Sequence, residues 1–327
     1  MVKSKLNRKS ALVLGCSGQD GILLCRSLSK QGYEVIGGSR NKEKTLQKFK
    51  EEDILSKVAI HHIDINNFDS IFNAIKEFSP NEIYNFAGQS SVSYSFEKPN
   101  ETLASIVLGT SNILEASKKI NFQGKIFFAG SGEIYGETEK GADINYSKNP
   151  KSPYGIGKQA SLELVRIYRE VYGLNAVTGI LFNHESELRD QKFVTHKIIN
   201  GAINISKNKN SIIHLGNINI SRDWGYAKEY VEAMQCMLRT DILKDQLICT
   251  GKLTSLKEFI EITFKYLNLN WEQHIKISKK HFRPQEIKRN YGNPKQIYKD
   301  LGWRAKLDIK SLIHKLINKK IKEEEKN

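Results

Sequence analysis

The sequence predicts an α/β protein whose core is a doubly wound parallel sheet of the Rossmann type, followed by a smaller C-terminal substrate-binding lobe. Short apolar runs rich in β-branched residues recur along the first part of the chain. Segments with apolar residues at helical spacing separate these runs, for example NFDSIFNAIKEF and ASLELVRIYREVYG. Continuous apolar strands that alternate with helices indicate a parallel sheet covered on both faces.

Six strands are predicted in order, at residues 11–15, 34–38, 57–63, 82–87, 125–130 and 176–182. After about residue 183 the alternation loosens, helices are predicted at 226–239 and 255–267, and the charged end KKIKEEEKN is expected to fray. The chain is therefore expected to divide into a sheet domain over residues 1–183 and a lobe over residues 184–327, part of which returns to the sheet.

The composition argues against several classes of protein. The net charge is +15, but lysines and arginines are interleaved with acids and match no nucleic-acid-binding motif, so nucleic acid is not expected as a partner. No apolar stretch is long enough to cross a membrane, and no membrane association is expected. The four cysteines form no CxxC or Cys/His cluster, so no metal site is expected and a reducing cytoplasm is indicated.

A glycine-rich turn follows the first predicted strand. Gly15, Gly18 and Gly21 lie in GCSGQDG with the spacing G-x-x-G-x-x-G, where a helix should begin. Glycines let the backbone approach a pyrophosphate, and a helix N-terminus offers N–H groups and the positive end of a dipole. A plain tight turn accounts for one glycine but not for three in this register, so the turn predicts a dinucleotide site.

The end of the second strand indicates which dinucleotide is bound. Folds of this kind that bind NAD place an acid there to hold the ribose 2′-hydroxyl. Here Ser39 and Arg40 follow, with Lys42 close by, which favours NADP because a cation suits its 2′-phosphate. The alternative is that Arg40 is a solvated loop charge. Asp64, after the third strand, lies where a carboxylate would contact adenine, and a helix cap accounts for it equally well.

A candidate reaction centre is predicted from three residues at and after the end of the fifth strand. Tyr154 and Lys158 lie one helical turn apart in SPYGIGK, so both side chains share one face. A neighbouring cation stabilises the phenolate and lowers the tyrosine pKa from about 10 towards neutrality, which makes it a general base. Ser131, at the end of the strand KIFFAG, can hydrogen-bond the same substrate oxygen. With a nicotinamide cofactor, this set can oxidise a sugar hydroxyl.

Glu133 adds a second acid–base group beside Ser131. A simple dehydrogenase has no need of it, but an elimination does. Once C4 of a hexose is a ketone, the C5 proton is acidic, and a base there can drive loss of the C6 hydroxyl. The alternative is that Glu133 is an exposed loop acid.

The chain resembles the extended short-chain dehydrogenase/reductases and, more closely, the GDP-mannose 4,6-dehydratases. The motifs that carry the resemblance are, in the family's order from about residue 10 to residue 305, GCSGQDG, YNFAGQSSVSYSFEKP, SPYGIGK, YREVYGLNAVTGILFNHES, FVTHKI, SRDWGYAKEYV and FRPQE. Ser131-Gly132-Glu133 stands where the family has Thr-x-Glu. The resemblance implies a hydro-lyase of deoxysugar biosynthesis that converts GDP-mannose to GDP-4-keto-6-deoxymannose with a tightly bound NADP, regenerated in each turnover. It gives residues 1–183 to the dinucleotide and 184–327 mainly to the nucleotide sugar.

The resemblance also implies roles for individual residues, each of which could instead be a surface charge or a cap. Ser131, Glu133, Tyr154 and Lys158 would be catalytic. The cofactor would be lined by Gly15, Ser17, Gly18, Gln19, Asp20, Gly21, Arg40, Asp64, Ile65, Phe86, Ala87, Tyr154, Lys158, Leu181, Asn183, His184 and Arg189. The substrate would be lined by Ser90, Ser91, Glu133, Asn183, Val194, Lys197, Gly216, Arg222, Arg283 and Glu286. Lys197 and Arg222 would contact phosphates, and Glu286 the ribose hydroxyls.

Two departures from the family pattern bear on assembly and substrate. After the second strand the family usually has paired arginines and a longer arm that helps to assemble a tetramer, whereas this chain has Arg40 and then NKEKTLQKFKEED. The expected assembly is a homodimer or a homotetramer. The segment between LNLNWEQ and HFRPQE is short, so a GDP-heptose or another GDP-hexose could replace GDP-mannose. The sequence is also compatible with a nucleotide-sugar 4-epimerase or 4-keto reductase on the same fold, and with a non-catalytic cofactor-sensing protein.

Overall fold

The computed structural model describes residues 8–325. The chain divides into two compact units, each made of three segments. The sheet unit comprises residues 8–134, 152–180 and 231–246, and the second unit comprises residues 135–151, 181–230 and 247–325. The assignment of residues 1–183 to the dinucleotide and 184–327 to the nucleotide sugar stays a prediction, because it concerns what each part binds.

The described chain alternates strands and helices up to β6. The strands are β1 (Ser10–Leu14), β2 (Glu34–Ser39), β3 (Ala59–His62), β4 (Glu82–Asn85), β5 (Lys125–Ala129), β6 (Ala176–Leu181), β7 (Asn183–Glu185), β8 (Ile213–Leu215), β9 (Ser221–Arg222), β10 (Trp224–Tyr226), β11 (Gln246–Ile248), β12 (Thr254–Ser255), β13 (Ile275–Ile277) and β14 (Arg289–Asn290). The helices are α1 (Gln19–Lys30), α2 (Lys42–Glu51), α3 (Phe68–Phe78), α4 (Val92–Glu97), α5 (Pro99–Leu103), α6 (Gly109–Lys119), α7 (Pro153–Tyr172), α8 (Val194–Lys207), α9 (Ala227–Arg239), α10 (Leu256–Tyr266), α11 (Lys295–Leu301) and α12 (Ile309–Glu324).

A seven-stranded sheet in the order β11-β6-β5-β4-β1-β2-β3 confirms the predicted fold class. The neighbouring pairs from β6 to β3 are parallel, and all six predicted strands are present. The seventh strand, β11, was not predicted. The strand order reverses between β1 and β4, and doubly wound sheets bind ligands beside such a reversal, at the carboxyl ends of the strands.

The core of the sheet unit is formed by the apolar runs that predicted the strands. Leu12, Ile83 and Ile126 are fully buried in one cluster with side chains of the flanking helices. The segment that ends this unit is tied to it by Asp245, whose carboxylate accepts hydrogen bonds from Arg169 at 2.8 and 2.9 Å and from the backbone N–H of Thr178 at 2.7 Å. These bonds join residues 231–246 to the rest of the sheet unit.

The second unit has a separate core, in which α8, α10 and α12 pack against one another. The prediction that the charged end frays is wrong for the described residues, because α12 continues to Glu324. Asp308 caps this helix by accepting a bond from the N–H of Ser311 at 2.8 Å. Leu312, Ile313, Leu316 and Ile317 are buried, and their helical spacing, hidden among lysines, explains the helix. Lys326 and Asn327 lie outside the described residues.

The two helices predicted beyond residue 183, at 226–239 and 255–267, are confirmed as α9 and α10. Within residues 8–325, every helix is too short or too polar to span a lipid bilayer.

Candidate active site

Packing requires two of the three glycines in the turn between β1 and α1. Gly15 has a φ of +76°, and a Cβ there would lie 2.7 Å from the backbone nitrogen of Ala87. A Cβ at Gly21 would lie 2.5 Å from the carbonyl oxygen of Gly15. A Cβ at Gly18 would meet one described atom, that same oxygen, at 3.4 Å, so the fold does not itself require glycine there. An open approach at Gly18, beside the N-terminus of α1, fits a pyrophosphate.

Helix α2 lies against the end of β2 and the glycine turn. The buried hydroxyl of Thr45 donates to Ser39 Oγ at 2.7 Å, and Asn41 caps the helix by accepting from the N–H of Lys44 at 2.9 Å. Arg40, predicted to contact the 2′-phosphate, is exposed. Lys48, which was not predicted to belong to the site, donates from its Nζ to the carbonyl oxygen of Ser17 at 2.9 Å. A contact across 31 positions has no local sequence signal.

Beyond β3, the structure answers one alternative raised for Asp64. The cap of α3 is Asn67, whose side chain accepts from the N–H of Ser70 at 3.0 Å. Asp64 instead closes a local turn by accepting from the N–H of Asn66 at 3.0 Å. Ile65 is buried, and its carbonyl oxygen accepts from the side chain of Asn112 at 2.9 Å. Contact of Asp64 and Ile65 with adenine stays a prediction.

The segment after β4 holds four of the predicted site residues. Phe86 and Ala87 are half-buried, and the N–H of Ala87 donates to Asn85 Oδ1 at 3.1 Å. Ser90 is exposed, whereas the hydroxyl of Ser91 caps α4 by accepting from the N–H of Tyr94 at 3.3 Å. The cap is a structural role for Ser91, and binding of the substrate by Ser90 and Ser91 stays a prediction.

The structure brings the four predicted catalytic residues together between the end of β5 and the start of α7. Ser131 follows β5, and the N–H of Glu133 donates to Ser131 Oγ at 3.2 Å. The 3-10 turn Gly132–Ile134 packs against α7. This helix is fixed by its cap, because the hydroxyl of Ser152 accepts from the N–H of Gly155 at 3.0 Å. Tyr154 lies in its first turn and Lys158 one turn later.

Lys158 is half-buried at this point. Its Nζ donates to the carbonyl oxygen of Ala129 at 2.7 Å and lies 5.7 Å from the ring centroid of Tyr154. Burial lowers the pKa of Lys158 from 10.5 to about 8, and the charge of Asp20 in α1 partly opposes that shift. A cavity lined by Asn85, Ala129 and Lys158, among others, lies at the ends of β4 and β5. Lys158 is therefore still charged at neutral pH, beside the tyrosine ring.

In the second unit, the predicted cofactor residues around β7 are largely engaged with their neighbours. Leu181 is buried and Asn183 is half-buried. The imidazole of His184 hydrogen-bonds through Nδ1 to the carbonyl oxygen of Phe182 at 2.7 Å and stacks on Tyr230. Arg189 Nε lies 3.4 Å from Glu185 Oε2, and its guanidinium group stacks 3.6 Å from the ring centroid of Phe193. The cofactor roles of these residues stay predictions.

Arg222, Arg283 and Glu286 form one charged cluster in the second unit. Arg222 is 3% exposed and donates to the carbonyl oxygen of Ile287 at 2.8 Å. Glu286 Oε1 lies 3.4 Å from Arg222 Nη2 and 3.7 Å from Arg283 Nη1. The structure thus brings together three residues predicted to bind the nucleotide, with the carboxylate between the two guanidinium groups. Such a pair of arginines can bind phosphate oxygens at two points.

Helix α8 and the β8 segment carry the remaining predicted substrate residues. Val194 begins α8 and packs against the core of the second unit, while the half-buried Lys197 follows one turn later. A Cβ at Gly216 would lie 2.4 Å from the carbonyl oxygen of His281, so packing alone requires that glycine. Substrate contacts of these residues stay predictions.

Asp223 is a buried carboxylate that the sequence analysis did not single out, although it lies in the quoted motif SRDWGYAKEYV. It accepts hydrogen bonds from the hydroxyl of Thr250 at 2.6 Å, from its N–H at 2.9 Å and from the N–H of Gly251 at 2.9 Å. Burial raises the pKa of Asp223 from 3.8 to about 6, against the lowering effect of these bonds. Asp223 holds the segment after β11 in place next to Arg222.

The fold and the site together define an extended short-chain dehydrogenase/reductase, with a glycine turn after β1 and Ser, Tyr and Lys around β5 and α7. The family model of GDP-mannose 4,6 dehydratase matches residues 12–316. "GDP-mannose 4,6 dehydratase 1" of Arabidopsis thaliana is 36% identical over 322 residues, which cover 95% of this chain and 89% of that protein. The chain therefore belongs to the GDP-mannose 4,6-dehydratase family.

Solved structures with lower sequence identity share the fold. The UDP-glucose 4-epimerase of Thermus thermophilus, in complex with NAD, has a TM-score of 0.82 at 23% identity and covers 94% of this chain and 98% of its own. The dTDP-glucose 4,6-dehydratase of Bacillus anthracis, also in complex with NAD, has a TM-score of 0.83 at 18% identity and covers 97% and 98%. At these identities the likeness establishes the fold.

Proposed function

We propose that this chain is a nucleotide-sugar 4,6-dehydratase that converts GDP-mannose to GDP-4-keto-6-deoxymannose by removing water across C5 and C6. The observation that carries the proposal is the placement of Ser131 and Glu133 on one turn that packs against the helix of Tyr154 and Lys158. An oxidation needs the serine, tyrosine and lysine, and the elimination adds the carboxylate. Membership of the GDP-mannose 4,6-dehydratase family supports GDP-mannose as the substrate.

Each catalytic side chain has one task in this proposal. The phenolate of Tyr154 takes the proton of the C4 hydroxyl, and the ammonium group of Lys158 stabilises that phenolate. Ser131 hydrogen-bonds the C4 oxygen and orients it. Glu133 removes the C5 proton and then protonates the departing C6 hydroxyl, which leaves as water. When C6 regains hydride, C5 takes up one proton and Tyr154 releases the one that it gained, so that water is the only net loss.

The cofactor of the proposed reaction is a nicotinamide dinucleotide, and NADP is favoured. When bound, NADP supplies reversible hydride transfer, so that the hydride taken from C4 returns to C6 without net reduction. The open approach at Gly18 and the N-terminus of α1 would hold its pyrophosphate. Arg40, after a strand that ends in Ser39, supports a 2′-phosphate over a free 2′-hydroxyl.

The charged cluster of the second unit supports binding of the GDP moiety. Arg222 and Arg283 would bind the diphosphate together with Lys197, and Glu286 would accept bonds from ribose hydroxyls. Because Glu286 lies 3.4 Å from Arg222, the carboxylate compensates the buried guanidinium charge before a nucleotide arrives.

We also infer a cytoplasmic homo-oligomer. Helix α7 exposes Ile156, Ile167 and Val171 to 53, 39 and 67%, and their spacing places all three on one stripe. Light scattering of the purified protein should therefore give two or four times the chain mass of 37.3 kDa. The four free cysteines fit a reducing compartment.

The proposed activity is tested by incubating the purified protein with GDP-mannose and NADP⁺ and measuring the mass of the nucleotide sugar. Loss of one water without net cofactor reduction is expected. An unchanged mass with GDP-mannose but loss of water from a GDP-heptose would move the assignment to that sugar. A 4-epimerase would change neither mass, and its product would differ from the substrate by chromatography alone.

Glu133→Gln separates elimination from oxidation at the same site. We expect it to slow water loss by about 10²–10⁴-fold, because the amide cannot take the C5 proton. Absorbance of reduced nicotinamide should then rise, since hydride is withdrawn from C4 but not returned. Glu139→Gln, at an exposed acid six positions further on, is the matched control and should leave the rate unchanged. Water loss at the wild-type rate in Glu133→Gln would contradict the role of Glu133.

A further inference from the structure

We propose that Lys48 is a specificity-determining residue of the dinucleotide site, where its ammonium group binds the 2′-phosphate that distinguishes NADP from NAD. The inference rests on the proposed use of a nicotinamide dinucleotide. It adds to that site a residue that lies in no motif of the sequence, in the second turn of α2.

Helix α2 is anchored on both sides of Lys48. One turn earlier, Thr45 is 1% exposed, and its hydroxyl bonds Ser39 at the end of β2. The next residue, Phe49, is fully buried. These two anchors fix the direction in which the Lys48 side chain leaves the helix, so its amine has a defined place on the glycine turn.

The amine of Lys48 lies where the two halves of a dinucleotide site meet. It donates to the carbonyl oxygen of Ser17, between Gly15 and Gly18, at 2.9 Å. In doubly wound sheets the first turn binds the pyrophosphate, and the end of the second strand binds the adenosine ribose at its 2′ position. Helix α2 begins just after that second strand, and Lys48 reaches back from it to the first turn.

Lys48 would add to the charge of Arg40 a second positive charge that is less exposed to solvent. A lysine ammonium has three donors, and the bond to Ser17 uses one of them, so donors remain for a ligand. Lys48 is half-buried, whereas Arg40 is exposed, where solvent and salt screen an ion pair. A phosphomonoester carries about −1.5 to −2 charges at pH 7, more than one exposed arginine neutralises.

The alternative is that Lys48 only holds the turn in shape, and Lys48→Gln separates the two roles. The glutamine amide can still donate to the Ser17 carbonyl but carries no charge. The ligands for calorimetric titration of the full chain are 2′,5′-ADP and 5′-AMP, which differ by the 2′-phosphate alone. Lys48→Gln should weaken binding of 2′,5′-ADP by about tenfold and change binding of 5′-AMP by less than about twofold. Lys48→Arg should retain the preference.

The matched control is Lys50→Gln, which removes the same charge from an exposed position of the same helix and should alter neither affinity. Equal weakening of both ligands in Lys48→Gln, or no weakening of either, would overturn the proposal. The wild type must also bind 2′,5′-ADP more tightly than 5′-AMP, and the reverse preference overturns it as well. The dehydratase activity is judged separately by water loss from GDP-mannose, so either conclusion can fail while the other stands.

Discussion

Lys158 in the sheet unit is half-buried and Arg222 in the second unit is buried, and the groups that these two cations face differ. Lys158 donates to a neutral carbonyl oxygen, that of Ala129, and burial lowers its pKa to about 8. Arg222 donates to the carbonyl of Ile287 and also faces the carboxylate of Glu286 at 3.4 Å. A neutral partner leaves the positive charge of Lys158 uncompensated, so that it can stabilise a phenolate at Tyr154. A carboxylate keeps a permanent charge compensated until an anionic ligand binds.

The largest effect is expected in the sheet unit, at the tyrosine beside Lys158. Tyr154→Phe removes the group that Lys158 would activate and should lower the rate of water loss from GDP-mannose by about 10³-fold. The measurement is the mass change of the nucleotide sugar over time. Binding of NADP⁺, measured by calorimetry, is the control. It should change by less than about threefold, because the phenylalanine ring still fills the position of the Tyr154 ring, which is only 9% exposed. A rate within about tenfold of the wild type would exclude Tyr154 as the base.

A smaller effect, on stability, is expected from Arg222→Met. This change leaves the Ile287 carbonyl and one side of Glu286 without their donor, and should lower the free energy of unfolding by roughly 2–4 kcal/mol in urea titrations. Arg283→Met, at a more exposed guanidinium group 3.7 Å from the same carboxylate, is the comparison and should cost under about 1 kcal/mol. Equal losses of unfolding free energy in the two variants would show that the burial of Arg222 does not increase its contribution to stability.

The smallest effect concerns the pH dependence of Lys158. Its folded pKa of about 8 is below the ordinary 10.5, so the unfolded chain binds more protons in that interval and stability rises with pH through this group. Between pH 7.5 and 9.5 the wild type should gain about 2 kcal/mol of unfolding free energy relative to Lys158→Met. Lys76→Met, at an exposed lysine of α3, is the control, and its unfolding free energy should change with pH as that of the wild type does. If the difference in unfolding free energy between wild type and Lys158→Met stays constant over this pH range, the folded pKa of Lys158 does not lie near 8.

The sequence predicted six of the seven strands of the sheet because each is a short, largely apolar run and the first five are followed by helices, and such signals are local. It predicted the grouping of Ser131, Glu133, Tyr154 and Lys158 because one strand end and one helix start carry them. Features that depend on folding across long separations were missed. Lys48 meets Ser17 only when α2 packs on the glycine turn. Helix α12 was missed for a different reason, because lysines interrupt its apolar residues in the sequence and hide their helical spacing.

The division of the chain into interleaved segments has a consequence for biosynthesis. The sheet unit includes residues 231–246, in which Asp245 bonds Arg169 and Thr178. A nascent chain therefore cannot complete this unit when its sixth strand leaves the ribosome and must wait for about sixty further residues. During that interval an edge of the sheet, where β11 will later pair, is available to other chains. Until residues 246–248 have been translated, this edge of the sheet lacks the strand that covers it in the folded protein.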